Sequence, residues 1–142
     1  LLRAPKFPDP EADRGRHELT VTIRPGADIT DAVQEGYRTN LPPRLVRGAG
    51  PVEPLFSVSD PAVVIESVKL AEDGSGDVVA RLYESLGKRS AARVSANFQV
   101  RNVLATDLLE RPAEGPGVTA VKDGAELNLR PFQLVTLRFA RA

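Results

Sequence analysis

Cysteine, methionine and tryptophan are absent from this chain of 142 residues, and histidine occurs once. Without cysteine there is no disulfide, no thiolate metal site and no cysteine nucleophile. With one histidine, a zinc site or a Ser-His-Asp arrangement would have to draw on the ring of His17 alone. No serine sits in a G-x-S-x-G elbow. Charge of one sign is missing as well. Nineteen Lys and Arg balance nineteen Asp and Glu, so no net field draws the chain to nucleic acid or an anionic membrane, and neither is expected as a partner. No apolar run approaches the ~20 residues of a membrane helix. Aromatics make up 5% of the chain, too few for the stacking faces of a single-strand nucleic-acid binder or a strong autonomous sugar platform. A starting Met and a basic-then-apolar leader are also missing from "LLRAPKFPDP". A chain beginning at Leu1 is therefore read as a processed or excised piece. Absence of cysteine fits a reducing compartment, and a cytoplasmic location is expected.

What is present is the material of a globular protein: 42% hydrophobic and 27% charged residues, with length enough to bury a core. Three prolines make residues 1–15 extended or looped. "HELTVTI", His17 to Ile23, alternates Leu19, Val21 and Ile23 with Glu18, Thr20 and Thr22, which predicts a half-buried strand. The period then changes. Ile29, Val33, Tyr37 and Leu41 recur every four residues and mark one face of a helix. Asp28 or Thr30 caps it, Asp31 favours its first turn, and Pro42 and Pro43 stop it after Asn40. Gly36 inside this helix predicts close packing. "PPRLVRGAGPVEP", Pro42 to Pro54, is the best linker candidate, with a boundary expected near Gly48 to Pro51.

Beyond it the pattern is all-β. Strands are predicted at Leu55 to Val58, Val63 to Leu70, Val78 to Tyr83, Ala92 to Val100, Val103 to Leu109, Val118 to Val121, Glu126 to Leu129 and around Val135 to Phe139. Glu72 to Asp77 supplies a hairpin loop. Seven or eight short strands at this spacing predict an antiparallel β-sandwich, immunoglobulin-like or related, with one short helix in the N-terminal third. The charges Glu66, Lys69, Arg81 and Glu84 are placed facing water, and Phe98, Phe132 and Phe139 in the core. The domain reading is 1–48 as a tail segment with one strand and one helix, 49–54 as linker, and 55–142 as sandwich.

The groups able to do chemistry are few. Asp107 with Glu110, or Asp28 with Asp31, are the acid pairs that glycoside hydrolysis would need; turn solvation and helix capping account for both. "GSGD", Gly74 to Asp77, lacks the Lys and Ser/Thr of a phosphate loop. Lys88, Arg89, Arg93 and Arg101 form a basic patch around one predicted hairpin, able to meet an acidic neighbour or a sugar phosphate, or simply to face solvent. Phe56 and Tyr83 are the aromatics left over for a sugar. No residue is assigned as catalytic, cofactor-binding or metal-binding.

"FSVSDPAVVIESVKLAEDGSGDVVARLYES", Phe56 to Ser85, resembles the opening of the C-terminal β-sandwich of glycoside hydrolase family 38, the α-mannosidases. "ATDLLE" from Ala105 and "ELNLRPFQLVTLRF" from Glu126 are similar to later segments of that domain, and Leu1 to Pro25 is similar to the close of the family's central β-domain. The resemblance implies a parent enzyme that hydrolyses α-mannosidic bonds with retention, using zinc and an aspartate nucleophile in a catalytic domain outside this chain. It implies no cofactor in this chain and a structural, non-catalytic role. Its partners would be the catalytic and central domains of its own polypeptide, with mannosides met in the full enzyme and self-association through the first strand. A self-sufficient carbohydrate-binding or adhesion sandwich is the alternative.

Overall fold

The computed structural model describes residues 7–11, 14–48 and 50–142; part of the proline-rich start and Ala49 of the linker lie outside them. Among the described residues eight strands and one helix form: α1 Ile29–Asn40, β1 Phe56–Val58, β2 Val63–Leu70, β3 Val78–Glu84, β4 Ser90–Ala96, β5 Val100–Thr106, β6 Val118–Val121, β7 Gly124–Leu129 and β8 Leu134–Arg141. All pairings are antiparallel. The strands make two four-stranded sheets in the orders β1-β4-β7-β6 and β2-β3-β8-β5, a β-sandwich.

The core follows from alternation. In the second sheet, Val78, Ala80 and Leu82 of β3 pair with Phe139, Leu137 and Val135 of β8, and all six are buried. Facing them, Ala92 and Val94 of β4 pair with Leu127 and Ala125 of β7. Phe139 is fully buried and packs against Phe56 at 4.7 Å and Phe98 at 6.4 Å between ring centroids. Phe56 is thus a core residue and not a spare aromatic.

Other sequence expectations also need correction. The alternation from Ala92 to Val100 is not one strand. β4 ends at Ala96, the chain crosses at 97–99 to the other sheet, and β5 begins at Val100. The pattern survives the crossing because both sheets face the same interior. The next ladder ends at Thr106, so 107–109 are loop. His17 to Ile23 forms no strand: Leu19, Val21 and Ile23 are 63%, 73% and 85% exposed. Alternation gives the shape of a strand, but a ladder needs a neighbouring strand, and no ladder forms over 17–23 among the described residues. Phe132, expected in the core, is 71% exposed at φ 56°.

The helix stands as read, with refinements. Asp28 is the N-cap, its carboxylate accepting the Asp31 amide at 2.8 Å while Asp31 reciprocates at 3.3 Å. None of its residues is buried. Around Gly36 there is no atom within 4 Å of an added Cβ, so the close packing expected there does not occur. The extended stretch before the helix lies along it, held by Thr22 to Thr39 at 2.7 Å and by Arg24 to Asp31 at 2.9 Å and Glu35 at 3.1 Å.

Candidate functional site

The candidate acid pairs do not combine. Asp28 and Asp31 are consumed by the helix cap. Asp107 is paired with Arg111 at 2.7 Å and accepts the amides of Leu109 and Arg111. Glu110, buried at φ 64°, pairs with Lys69 at 2.6 Å and accepts the Glu72 amide at 2.8 Å. The Arg111 and Lys69 contacts hold both carboxyls below the ordinary range. Both are therefore ionised at neutral pH, and neither can serve as a general acid. Among the described residues there is no group of three His, Cys, Asp or Glu that could hold a metal ion. No helix among them is long and apolar enough to cross a membrane.

These side chains fasten loops instead. The 107–111 segment is a strap. It leaves β5, crosses the outer face of the second sheet and latches to β2 through Glu110, with the Arg81 guanidinium donating to the Leu108 carbonyl at 3.1 Å on the way. Gly74 to Asp77 belongs to the β2–β3 hairpin, as expected. Arg138 of β8 reaches it, meeting Asp77 at 2.8 Å and Asp73 at 2.7 Å. Hydrogen bonds from the Ser75 side chain and amide, together with Arg138, hold Asp73 down at about 2. The predicted basic patch is split, because β4 and β5 lie in different sheets. Arg93 donates to the Lys122 carbonyl on the first sheet, while Arg101 lies on the edge strand of the second.

The most constrained polar group is one that periodicity placed in water. Glu84 is fully buried. Its Oε1 accepts the Leu86 amide at 3.0 Å and the Ser90 hydroxyl at 3.4 Å; its Oε2 accepts the amides of Gly87, Lys88 and Phe132 at 2.8, 3.2 and 3.1 Å. Burial pushes this carboxyl up, but the four amides outweigh it and hold it below the usual glutamate range. One carboxylate thus ties the β3–β4 crossing to the β7–β8 crossing. The sequence signal was available in part: an inward register position occupied by an acid, followed by a Leu-Gly turn.

At the same end, α1 meets the outer face of the second sheet. The Tyr37 hydroxyl donates to Tyr83 at 3.2 Å, beside a shallow groove of about 530 Å³ that Glu66 and Leu41 also line. Desolvation, and next the Tyr83 hydrogen bond, push Tyr37 up to about 12. The folded chain then keeps a proton that the unfolded chain loses near the ordinary value of 10.0. The helix contact is present in full below that pH and weakens as pH rises toward about 12. Ultraviolet titration should resolve one tyrosinate that forms only as pH approaches about 12, and Tyr83→Phe should lower that value.

Residues 62–137, more than half of the chain, match the family described as "Glycosyl hydrolases family 38 C-terminal beta sandwich domain". The chain belongs to glycoside hydrolase family 38. Its similarity to named members extends past the matched domain. It is 38% identical to alpha-mannosidase 2C1 of Homo sapiens over 96% of its own length and 14% of that protein. It is 30% identical to alpha-mannosidase of Saccharomyces cerevisiae over 97% of its length and 15% of that protein. The mouse counterpart of the human protein is 34% identical over the same shares. The chain therefore spans about one seventh of the length of these family 38 relatives.

Proposed function

We propose that this chain is the non-catalytic C-terminal β-sandwich region of a larger α-mannosidase, and that its role is structural. The observation that carries the reading is the match of residues 62–137 to the family's C-terminal sandwich, with relatives named as α-mannosidases about seven times longer. The disposition of charge supports it: Glu84, Glu110, Asp77 and Asp107 are each engaged by backbone amides, by a single cation or by both. Zinc and the aspartate nucleophile expected of the family belong to the remainder of the polypeptide. This region braces that remainder. Leu19, Val21 and Ile23, exposed on an extended segment, are suited to complete a sheet contributed by it. In isolation the same residues make the chain prone to self-association.

Two assays test the reading. The chain alone should not hydrolyse a chromogenic α-mannoside, whereas the complete polypeptide should. Removing residues 56–142 from the complete polypeptide should yield an aggregated or heat-labile product. Chelator-sensitive turnover by the chain alone, or a truncated polypeptide of unchanged heat stability, would refute it. Calorimetric binding of methyl α-mannoside to the chain alone would favour a carbohydrate-binding module instead.

A further inference from the structure

Phe132 occupies a backbone conformation that suits glycine better than phenylalanine. It follows Pro131 in a four-residue turn closed by the Gln133 amide donating to the Arg130 carbonyl at 3.0 Å, and it lies at φ 56°. Proline second and a positive φ third define a turn whose third residue is normally glycine. A bulky side chain there carries strain, and such strain persists where the surroundings over-determine it. The surroundings here do so. The Phe132 amide is fixed by the buried Glu84 carboxylate, which also fixes the Leu86, Gly87 and Lys88 amides of the neighbouring turn. The ring then lies over Gly87, itself at φ 71°, where an added Cβ would come within 2.7 Å of the ring's Cζ. All this holds a phenyl ring that contributes little to the core, since 71% of the residue is exposed.

Around the ring, charge of one sign gathers. Lys88 and Arg89 are exposed on the turn beneath it, and the β4–β7 register, Ser90 opposite Leu129, brings Arg89 across from Arg130. Arg130 donates only to Gln133, and among the described residues no carboxylate pairs with these three cations. A rigid aromatic with arginines around it is the composition of an interface anchor. We propose that the Phe132 turn and the Leu86–Arg89 turn beneath it are the seat through which this region docks on the remainder of its own polypeptide, at an acidic face with an apolar recess for the ring. The inference rests on the structural reading above. The occupant is argued from the relatives, in which about six sevenths of the length lies outside the part this chain matches, and from the cationic rim, which suits an acidic protein face better than a neutral sugar.

Hydroxyl-radical footprinting of the chain alone and of the complete polypeptide tests it. In the chain alone Phe132 should oxidise readily. In the complete polypeptide its oxidation should fall to the level of buried Phe139. Charge reversal by Lys88→Glu with Arg130→Glu should restore it. Phe132→Gly relieves the backbone strain, so the chain alone should keep its melting temperature. Within the complete polypeptide the same change should raise local opening of the region, read by hydrogen exchange, by about thirtyfold. If Phe132 stays reactive while Leu19, Val21 and Ile23 become protected, the docking seat is elsewhere: this inference fails and the structural role stands. If none of these side chains changes, the structural role fails with it. Protection of Phe132 in the chain alone by methyl α-mannoside, or indifference of its protection to the charge reversal, would also overturn the assignment.

Discussion

Glu84→Ala should cost about 4 kcal/mol or more in urea unfolding of the chain, because it removes a fully buried carboxylate and strands four backbone donors and the buried Ser90 hydroxyl that it holds. Against the ~5–15 kcal/mol typical of a domain, that leaves a marginal fold. Glu84→Gln keeps the shape and one acceptor oxygen but turns an NH2 group toward amides that already donate. It should lose roughly half as much. The pH dependence has a definite sign. The folded chain holds the Glu84 proton less tightly than the unfolded chain, so the contribution is complete above the ordinary glutamate value of 4.5 and is lost as pH falls through the lower folded value. Unfolding midpoints followed from neutral pH downward should fall more steeply in the wild type than in Glu84→Gln, whose amide does not titrate. Parallel curves would show that the carboxylate is not the fastener described.

Phe139→Ala should be comparably damaging, at about 3–5 kcal/mol. The ring is fully buried and packs in a mutual cluster with Phe56 and Phe98. Its loss opens a cavity between the sheets and removes two edge or tilted ring contacts, each contributing about 1 kcal/mol beyond burial. A fall in Tm of about 20 °C is expected by differential scanning calorimetry. Phe139→Leu, which keeps most of the volume, should lose less than half as much. Equal losses for Ala and Leu would mean that backbone disruption and not the cavity sets the cost.

Much of this was legible from the order of residues because the physics involved is short-range. The α1 cap needs Asp28 and Asp31 three apart, and strand inner faces need only a period of two; both can be read along a line. What a line does not carry is which sheet a strand joins. Ala92 to Val100 reads as one strand because the crossing at 97–99 preserves inward and outward alternation. Phe132 and Glu84 failed for a related reason. Their placement is decided by each other across a sequence separation of 48 residues, so hydrophobicity alone sends the phenyl inward and the carboxylate outward. Turn solvation accounted for Asp107 and Glu110 at a spacing of three, but no local rule shows that the strap carries Glu110 to Lys69 on the far edge strand.

The position of β8 has a consequence for biosynthesis. It sits between β3 and β5 in its sheet, and β5 has no other sheet neighbour. As the chain leaves the ribosome, three strands of that layer emerge with a gap at its centre, and the interior stays open until Leu134–Arg141 is made. Nascent chains of this region therefore expose unpaired β3 and β5 edges, open to mispairing, until Leu134–Arg141 has emerged and slots between them.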